Sequence, residues 1–128
     1  MRILLDTHAL LWAGLAPERL SEKARLLLES RSTDVLVSAA SAWEIATKVR
    51  IGKLPQAVLF SAEMPRRLEI LGFHPLAVTV EHAQRAGSLP GSHRDPFDRM
   101  LIAQAQAENL AMVSNDKIFD SYGVRRIW

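Results

Sequence analysis

The chain opens on three apolar β-formers, Ile3-Leu4-Leu5, which run without a turn residue into Asp6-Thr7-His8. A short apolar run of this kind predicts a strand buried on both faces, as in parallel sheets covered by helices on each side. The spacing then turns helical. Thr7 to Ala13 reads as a short helix ended by Gly14 and the Pro17 region, and Ser21 caps a second helix to about Arg31 with Leu20, Ala24, Leu27 and Leu28 inward. Val35-Leu36-Val37-Ser38 is a second strand, followed at once by a helix from Ala39 to Arg50 that offers Trp43, Ile45, Ala46 and Val49 for burial. Gly52 stops this helix, and Pro55 starts another from about Gln56 to Leu71, which Pro65 should kink or split.

Phe73 to Val78 predicts a third strand, weakened in its first half by His74-Pro75. Thr79 caps Val80 to Ala86, and Gly87 to Arg94 is a polar loop. Pro96 then opens a helix to about Asn109, with Phe97, Leu101, Ile102 and Ala105 on one side. Leu110 to Ser114 and Val124 to Trp128 supply a fourth and a fifth strand. The order β-α-α-β-α-α-β-α-α-β-β predicts a three-layer α/β fold with a mostly parallel sheet. At 128 residues without a repeat or linker, the expectation is a single domain spanning 1–128.

Composition narrows the chemistry. The chain has no cysteine, which removes disulfides, thiolate metal sites and cysteine nucleophiles. No apolar run approaches the roughly 18 to 20 residues that span a membrane, and the N-terminus lacks the pattern of a secretory signal, so a cytoplasmic location is expected. Sixteen Lys and Arg face fourteen Asp and Glu, a surplus too small to argue for a polyanionic partner unless several acids are gathered in one place.

Four acids fall where such gathering would occur, because ligand chemistry in parallel sheets collects past the carboxyl ends of the strands. Asp6 follows the first strand, either as an N-cap for the helix at Thr7 or as a carboxylate aimed at that edge. Glu44 follows the second strand. Ser41-Ala42-Trp43-Glu44 fits a capping box, yet Ser38 is an equally good cap and would put Glu44 in the second turn, where no cap is needed. Asp95 as cap, Pro96 at the first helical position and Asp98 at the third make a strong helix start, with Asp98 the acid less needed for it. Asp116, just past the fourth strand, reads as an Asx turn or cap and mirrors Asp6. Carboxylates about 4 Å apart repel by about 4 kcal/mol per pair at an effective dielectric near 20. Such a cluster needs protons or divalent cations, and oxygen-only ligands favour Mg²⁺ or Mn²⁺ over Zn²⁺. With these four acids set aside, 16 basic residues face 10 acidic ones, a field suited to a polyanion.

Together, Leu4-Leu5-Asp6-Thr7-His8, Ser41-Ala42-Trp43-Glu44-Ile45-Ala46, Asp95-Pro96-Phe97-Asp98-Arg99 with Leu101-Ile102-Ala103, and Ser114-Asn115-Asp116 resemble the PIN-domain ribonucleases. More narrowly, the pattern is similar to the VapC toxins of type II toxin–antitoxin systems. The resemblance implies an α/β/α PIN-like domain with four or five parallel strands and the first strand central. It further implies an Mg²⁺- or Mn²⁺-dependent endoribonuclease whose acidic metal site is Asp6, Glu44, Asp98 and Asp116. In that reading Thr7 and Ser114 orient the carboxylates, and Asp95 caps its helix or supports the site. His8 stands where many members have asparagine and is read as peripheral; Arg99 is read as a solvated or ion-paired helix arginine or as a phosphate contact. The family also implies a homodimer, a cognate antitoxin that blocks the site, and a helical arm from about Leu54 to Leu71 that contributes to dimer contacts or a groove. Trp12 and Trp43 are expected to pack in the core, with an exposed edge available to the antitoxin groove.

Other readings have recognisable requirements. A haloacid-dehalogenase-like phosphatase wants Asp-x-Asp after the first strand, where this chain has Asp6-Thr7-His8, and a response-regulator receiver wants a lysine after a late strand. A PIN-like module that binds RNA or protein without catalysis, or a housekeeping PIN nuclease with no antitoxin, remains the alternative.

Overall fold

A computed structural model describes all residues, 1–128. Its centre is a five-stranded parallel sheet in the order β3-β2-β1-β4-β5, formed by β1 (Arg2–Leu5), β2 (Asp34–Ser38), β3 (His74–Leu76), β4 (Ala111–Val113) and β5 (Arg126–Ile127). The first strand is central: Ile3 pairs with Val35 on one side and Ala111 on the other. Ile3, Leu4 and Leu5 are fully buried because both faces of β1 are covered. Alternation divides them. Ile3 and Leu5 join an 18-residue core with Leu10, Ile45, Phe60 and Leu68, whereas Leu4 joins a nine-residue core on the opposite face with Leu101, Ile102, Met112 and Phe119. Burying each such side chain contributes roughly 1.5–3 kcal/mol, so the strand is anchored before any hydrogen bond of its ladder is counted.

The helices are α1 (Thr7–Leu15), α2 (Glu22–Glu29), α3 (Ala39–Arg50), α4 (Val58–Ala62), α5 (Met64–Leu71), α6 (Val80–Ser88) and α7 (Pro96–Glu108). The three-layer α/β architecture with β1 at its middle is as expected. So are the caps Ser21, Thr79 and Asp95, each accepting a backbone N–H of its helix. The arm divides at Glu63, with Pro65 in the first turn of α5, where its missing N–H has no partner to lose.

Three expectations are corrected and one alternative is decided. The first helix runs through Gly14 and ends at Leu15, just before Pro17; Gly14 lies against Phe60, whose ring is 2.4 Å from where a Cβ would stand. The third strand shrinks to His74–Leu76, an edge strand on which Pro75 costs little. Of the two caps open to α3, Ser38 is the one used, accepting from Ala40 N, which leaves Glu44 in the second turn. Finally, Trp43 is 66% exposed rather than part of the core, because the inward face of α3 carries Ser41, Glu44 and Ile45. A helix face that turns a serine and a glutamate inward serves something other than apolar packing.

Candidate active site

Four separate segments bring acids toward the carboxyl edge of the sheet. Asp6 ends β1: its N–H donates to Val113 O at 3.1 Å and its carbonyl accepts from Leu10 N at 3.0 Å, which locks the residue between the sheet and α1. Its carboxylate does two things at once. Oδ1 accepts from Ala9 N at 2.7 Å, capping α1, while Oδ2 accepts from Ser114 Oγ at 2.5 Å across the sheet. Capping and a place at the ligand edge are therefore compatible for Asp6. Ser114, fully buried at the end of β4, also accepts from Asp116 N at 3.0 Å. Asp116 itself is exposed and caps the 3₁₀ turn over Lys117–Tyr122 through Ile118 N.

The network continues through Thr7. Its hydroxyl lies 2.6 Å from Glu44 Oε1, the donated bond, and 3.2 Å from Ser41 Oγ. Glu44 is 3% exposed, and its second oxygen receives Lys48 Nζ, one helical turn on, at 2.5 Å. Asp98 enters in the first turn of α7, where Asp95 Oδ1 accepts from the N–H groups of Phe97 and Asp98. The Asp98 carboxylate meets His93 Nε2 at 3.0 Å.

Electrostatics link the same residues. Burial pushes the Asp6 carboxyl up from its ordinary range; its bonds to Ser114 and Ala9 and the nearby His8 oppose this, and the charge of Asp116 adds to it. Asp98 is raised to about 6, first by burial and then by the charges of Asp95 and Glu44, against the pull of His93. Ser114 is bonded to both the Asp6 carboxylate and Asp116 N, and Thr7, next to Asp6 in the chain, is bonded to Glu44.

No three of the Asp, Glu and His side chains are arranged to enclose a metal ion as they stand. The donor set nevertheless fits a hard divalent cation. It is all oxygen, two of its carboxyls are held above their ordinary pKa by burial and mutual charge, and a cation would relieve that cost. Asp98 and the exposed Asp116 hang on a helix start and a turn. Asp6 and Glu44 are fixed within the fold by their hydrogen bonds.

The remaining predicted residues fall outside this cluster. His8 is exposed and lies beside Trp12 with ring centroids 5.8 Å apart, a peripheral position. Trp12 is half-buried against the larger core and Trp128, whereas Trp43 packs only edge-on against Phe97. Arg99 is half-buried and makes no ion pair. Its guanidinium donates to the carbonyls of Ala86, Leu89 and His93, fastening the loop that carries His93 and Asp95 onto α7. Lys48 and His93 were not singled out in the sequence. For Lys48 a signal existed, the i,i+4 spacing from Glu44 on one helix face. His93, in a polar loop five residues before Asp98, carried none.

Comparison with known proteins follows the same lines. The family model described as "PIN domain" matches residues 3–124. Over 84 residues the chain is 36% identical to Ribonuclease VapC16 of Mycobacterium tuberculosis, a match covering 64% of this chain and 59% of that protein. The matched segment thus spans less than two thirds of the curated relative. Among solved structures, VapBC2 from Rickettsia felis bound to a promoter DNA fragment superposes with a TM-score of 0.70 at 16% identity, covering 99% of this chain and 98% of that one. Mycobacterium tuberculosis VapC20, a Sarcin-Ricin loop cleaving toxin, gives 0.68 at 19% identity over 95% of both chains. FitAcB from Neisseria gonorrhoeae gives 0.67 at 21% identity over 100% of this chain and 97% of that one. At these identities the structures speak for the fold.

Proposed function

We propose, from the premise that the chain belongs to the PIN-domain family, that it is a divalent-metal-dependent endoribonuclease and the toxin of a type II toxin–antitoxin pair. The observation that carries the reading is the hydrogen-bonded run Asp116–Ser114–Asp6, continued by Thr7 to Glu44, whose charge reaches Asp98. Hydroxyls hold the Asp6 and Glu44 carboxylates, while Asp98 and Asp116 enter from a helix start and a turn. Asp6, Asp98 and Asp116 would hold Mg²⁺ or Mn²⁺, with Glu44 as a further ligand or as the group that orients the attacking water. Thr7 and Ser114 keep the inner carboxylates in register, and Asp95 supports Asp98 by capping its helix.

The cation, when bound, supplies Lewis acidity that makes water a competent nucleophile and offsets charge on the phosphodiester oxygens. The chain's own groups do the rest. Buried Asp6 gives a rigid point of attachment. One of the remaining carboxylates would accept the single proton released as water bonds to phosphorus, while the ribose oxygen whose bond breaks takes a proton from solvent and leaves as the alcohol. The basic surplus outside the acids favours RNA, and its excess of arginine, 12 of the 16 cations, suits phosphate contacts.

The partner reading rests on Ribonuclease VapC16 as relative and on VapBC2 and FitAcB as neighbours. An antitoxin would cover the acidic edge. A homodimer is proposed through the apolar cleft of about 420 Å³ beside it, lined by the exposed Trp43 and Val78 and the half-buried Phe97 and Met100. No helix is long and apolar enough to cross a membrane, and we place the activity of residues 1–128, as a single PIN domain, in the cytoplasm. The test is cleavage of total RNA by the purified protein in Mg²⁺ or Mn²⁺ against EDTA, with growth arrest on expression relieved by the neighbouring small open reading frame. RNA binding without metal-stimulated cleavage would replace this reading with a non-catalytic PIN-like module; cleavage without growth arrest would indicate a housekeeping nuclease.

A further inference from the structure

Glu44 differs from the other acids in that both of its oxygens are taken by the chain itself, one of them by a charge. Thr7 donates to Oε1 at 2.6 Å, and Lys48 Nζ meets Oε2 at 2.5 Å. The carboxylate side chain is 5% exposed and the lysine 33%, so the negative end of the pair is buried and the positive end reaches solvent. A charge taken that far out of water is retained only when paired and hydrogen-bonded, and here both conditions are met without an external ion. Asp6 also has both oxygens engaged, but by an N–H and a hydroxyl, neither of which brings a charge. Asp98 has one neighbour of variable charge, His93, and Asp116 is open to solvent.

We propose that Lys48 is a built-in counter-cation and positioning residue that removes Glu44 from the ligand set. The cation site would then rest on Asp6, Asp98 and Asp116. Glu44, neutralised by Lys48, fixes Thr7 at the start of α1, and the Lys48 charge offsets part of the repulsion that Glu44 exerts on Asp98. Lys48 limits how tightly the site binds metal, because its charge stands beside the acids that would attract the ion. This inference rests on the acidic metal-site reading above and narrows it.

The experiment is Mn²⁺ titration of the RNA-free protein, followed by electron paramagnetic resonance of free Mn²⁺, for wild type, Lys48→Met, Lys48→Arg and Asp6→Asn. Lys48→Met keeps the aliphatic stem and removes the charge. It is expected to bind Mn²⁺ about tenfold more tightly, since one positive charge leaves the site and one Glu44 oxygen is freed. RNA cleavage by the same variant is expected to slow at saturating Mn²⁺, because Glu44 loses its fixed position, and Lys48→Arg should restore both properties toward wild type. Tighter metal with slower turnover is not what loss of a merely structural side chain produces. Unchanged or weaker Mn²⁺ binding in Lys48→Met would overturn the inference. Asp6→Asn separates the two levels. If it binds Mn²⁺ like wild type, the metal-site reading itself fails; if it loses Mn²⁺ while Lys48→Met does not gain, only the role of Lys48 fails.

Discussion

Replacing Asp98 with asparagine should stabilise the metal-free protein at neutral pH while removing its activity. The folded-state pKa of Asp98 is raised from 3.8 to about 6, chiefly by burial and by the charges of Asp95 and Glu44. With its side chain 22% exposed, the group is too buried for solvent to screen that cost away. A shift of about two units corresponds to roughly 3 kcal/mol between the charged and neutral forms. The sign follows from proton linkage. Between about pH 4 and pH 6 the folded state holds this proton more firmly than the unfolded chain does, so the metal-free protein loses stability as pH rises through that window. An asparagine at this position carries no charge to bury, and its amide oxygen can still accept from His93. Asp98→Asn should therefore gain about 1–3 kcal/mol at pH 7.5 and little at pH 4. Denaturation by urea in EDTA at both pH values, comparing midpoints at equal slope, measures the difference. A variant less stable than wild type at pH 7.5, or a difference independent of pH, would refute the electrostatic account. The same charge makes metal binding pH-dependent: Mn²⁺ affinity of the wild type should fall as pH drops below about 6, where the ion must displace a proton.

Thr7→Val deletes the hydroxyl bonded to the buried Glu44 and leaves a carboxylate oxygen without its partner, which should cost about 1–3 kcal/mol in urea denaturation and lower RNA cleavage. Arg99→Ala removes three bonds to the carbonyls of Ala86, Leu89 and His93, and should cost about 2–3 kcal/mol. The segment 89–95 would then open to limited proteolysis, and lysine, with one short ammonium, should not restore it. Gly14→Ala gains helix propensity but sets a Cβ 2.4 Å from the Phe60 ring, so it should destabilise by about 1–3 kcal/mol in thermal melts; a rise in Tm would show that the arm gives way freely.

Much of this arrangement is legible in the chain because it rests on local rules. An apolar run ending in Asp6, caps at Ser21, Thr79 and Asp95, and Pro65 at a break each specify their own surroundings through a few neighbouring residues. The convergence of the acids follows from the strand order, since every strand of a parallel sheet delivers its carboxyl end to one edge. What the pattern hides depends on tertiary contact. Trp43 is apolar and helically spaced, yet it faces outward because the site claims the inward face of α3 for Ser41 and Glu44. Buried His82 gives no local sign of its partners. It joins Thr79 N and Glu108 across α6 and α7, beside Gln104, which reaches Ala77 O. Arg99 looks like a surface charge until the loop folds back over it and presents three carbonyls. Lys48 is visible by spacing alone, but its importance depends on the burial of Glu44, which only the assembled fold supplies.

The most direct test of the central claim is single-turnover cleavage of one RNA by wild type, Asp6→Asn and Asp98→Asn at saturating Mn²⁺, with folding verified by denaturation midpoints. If these carboxylates hold the catalytic cation, both folded variants should lose activity by about 100-fold or more, and EDTA should abolish what the wild type does. Cleavage at the wild-type rate by both folded variants would contradict the account.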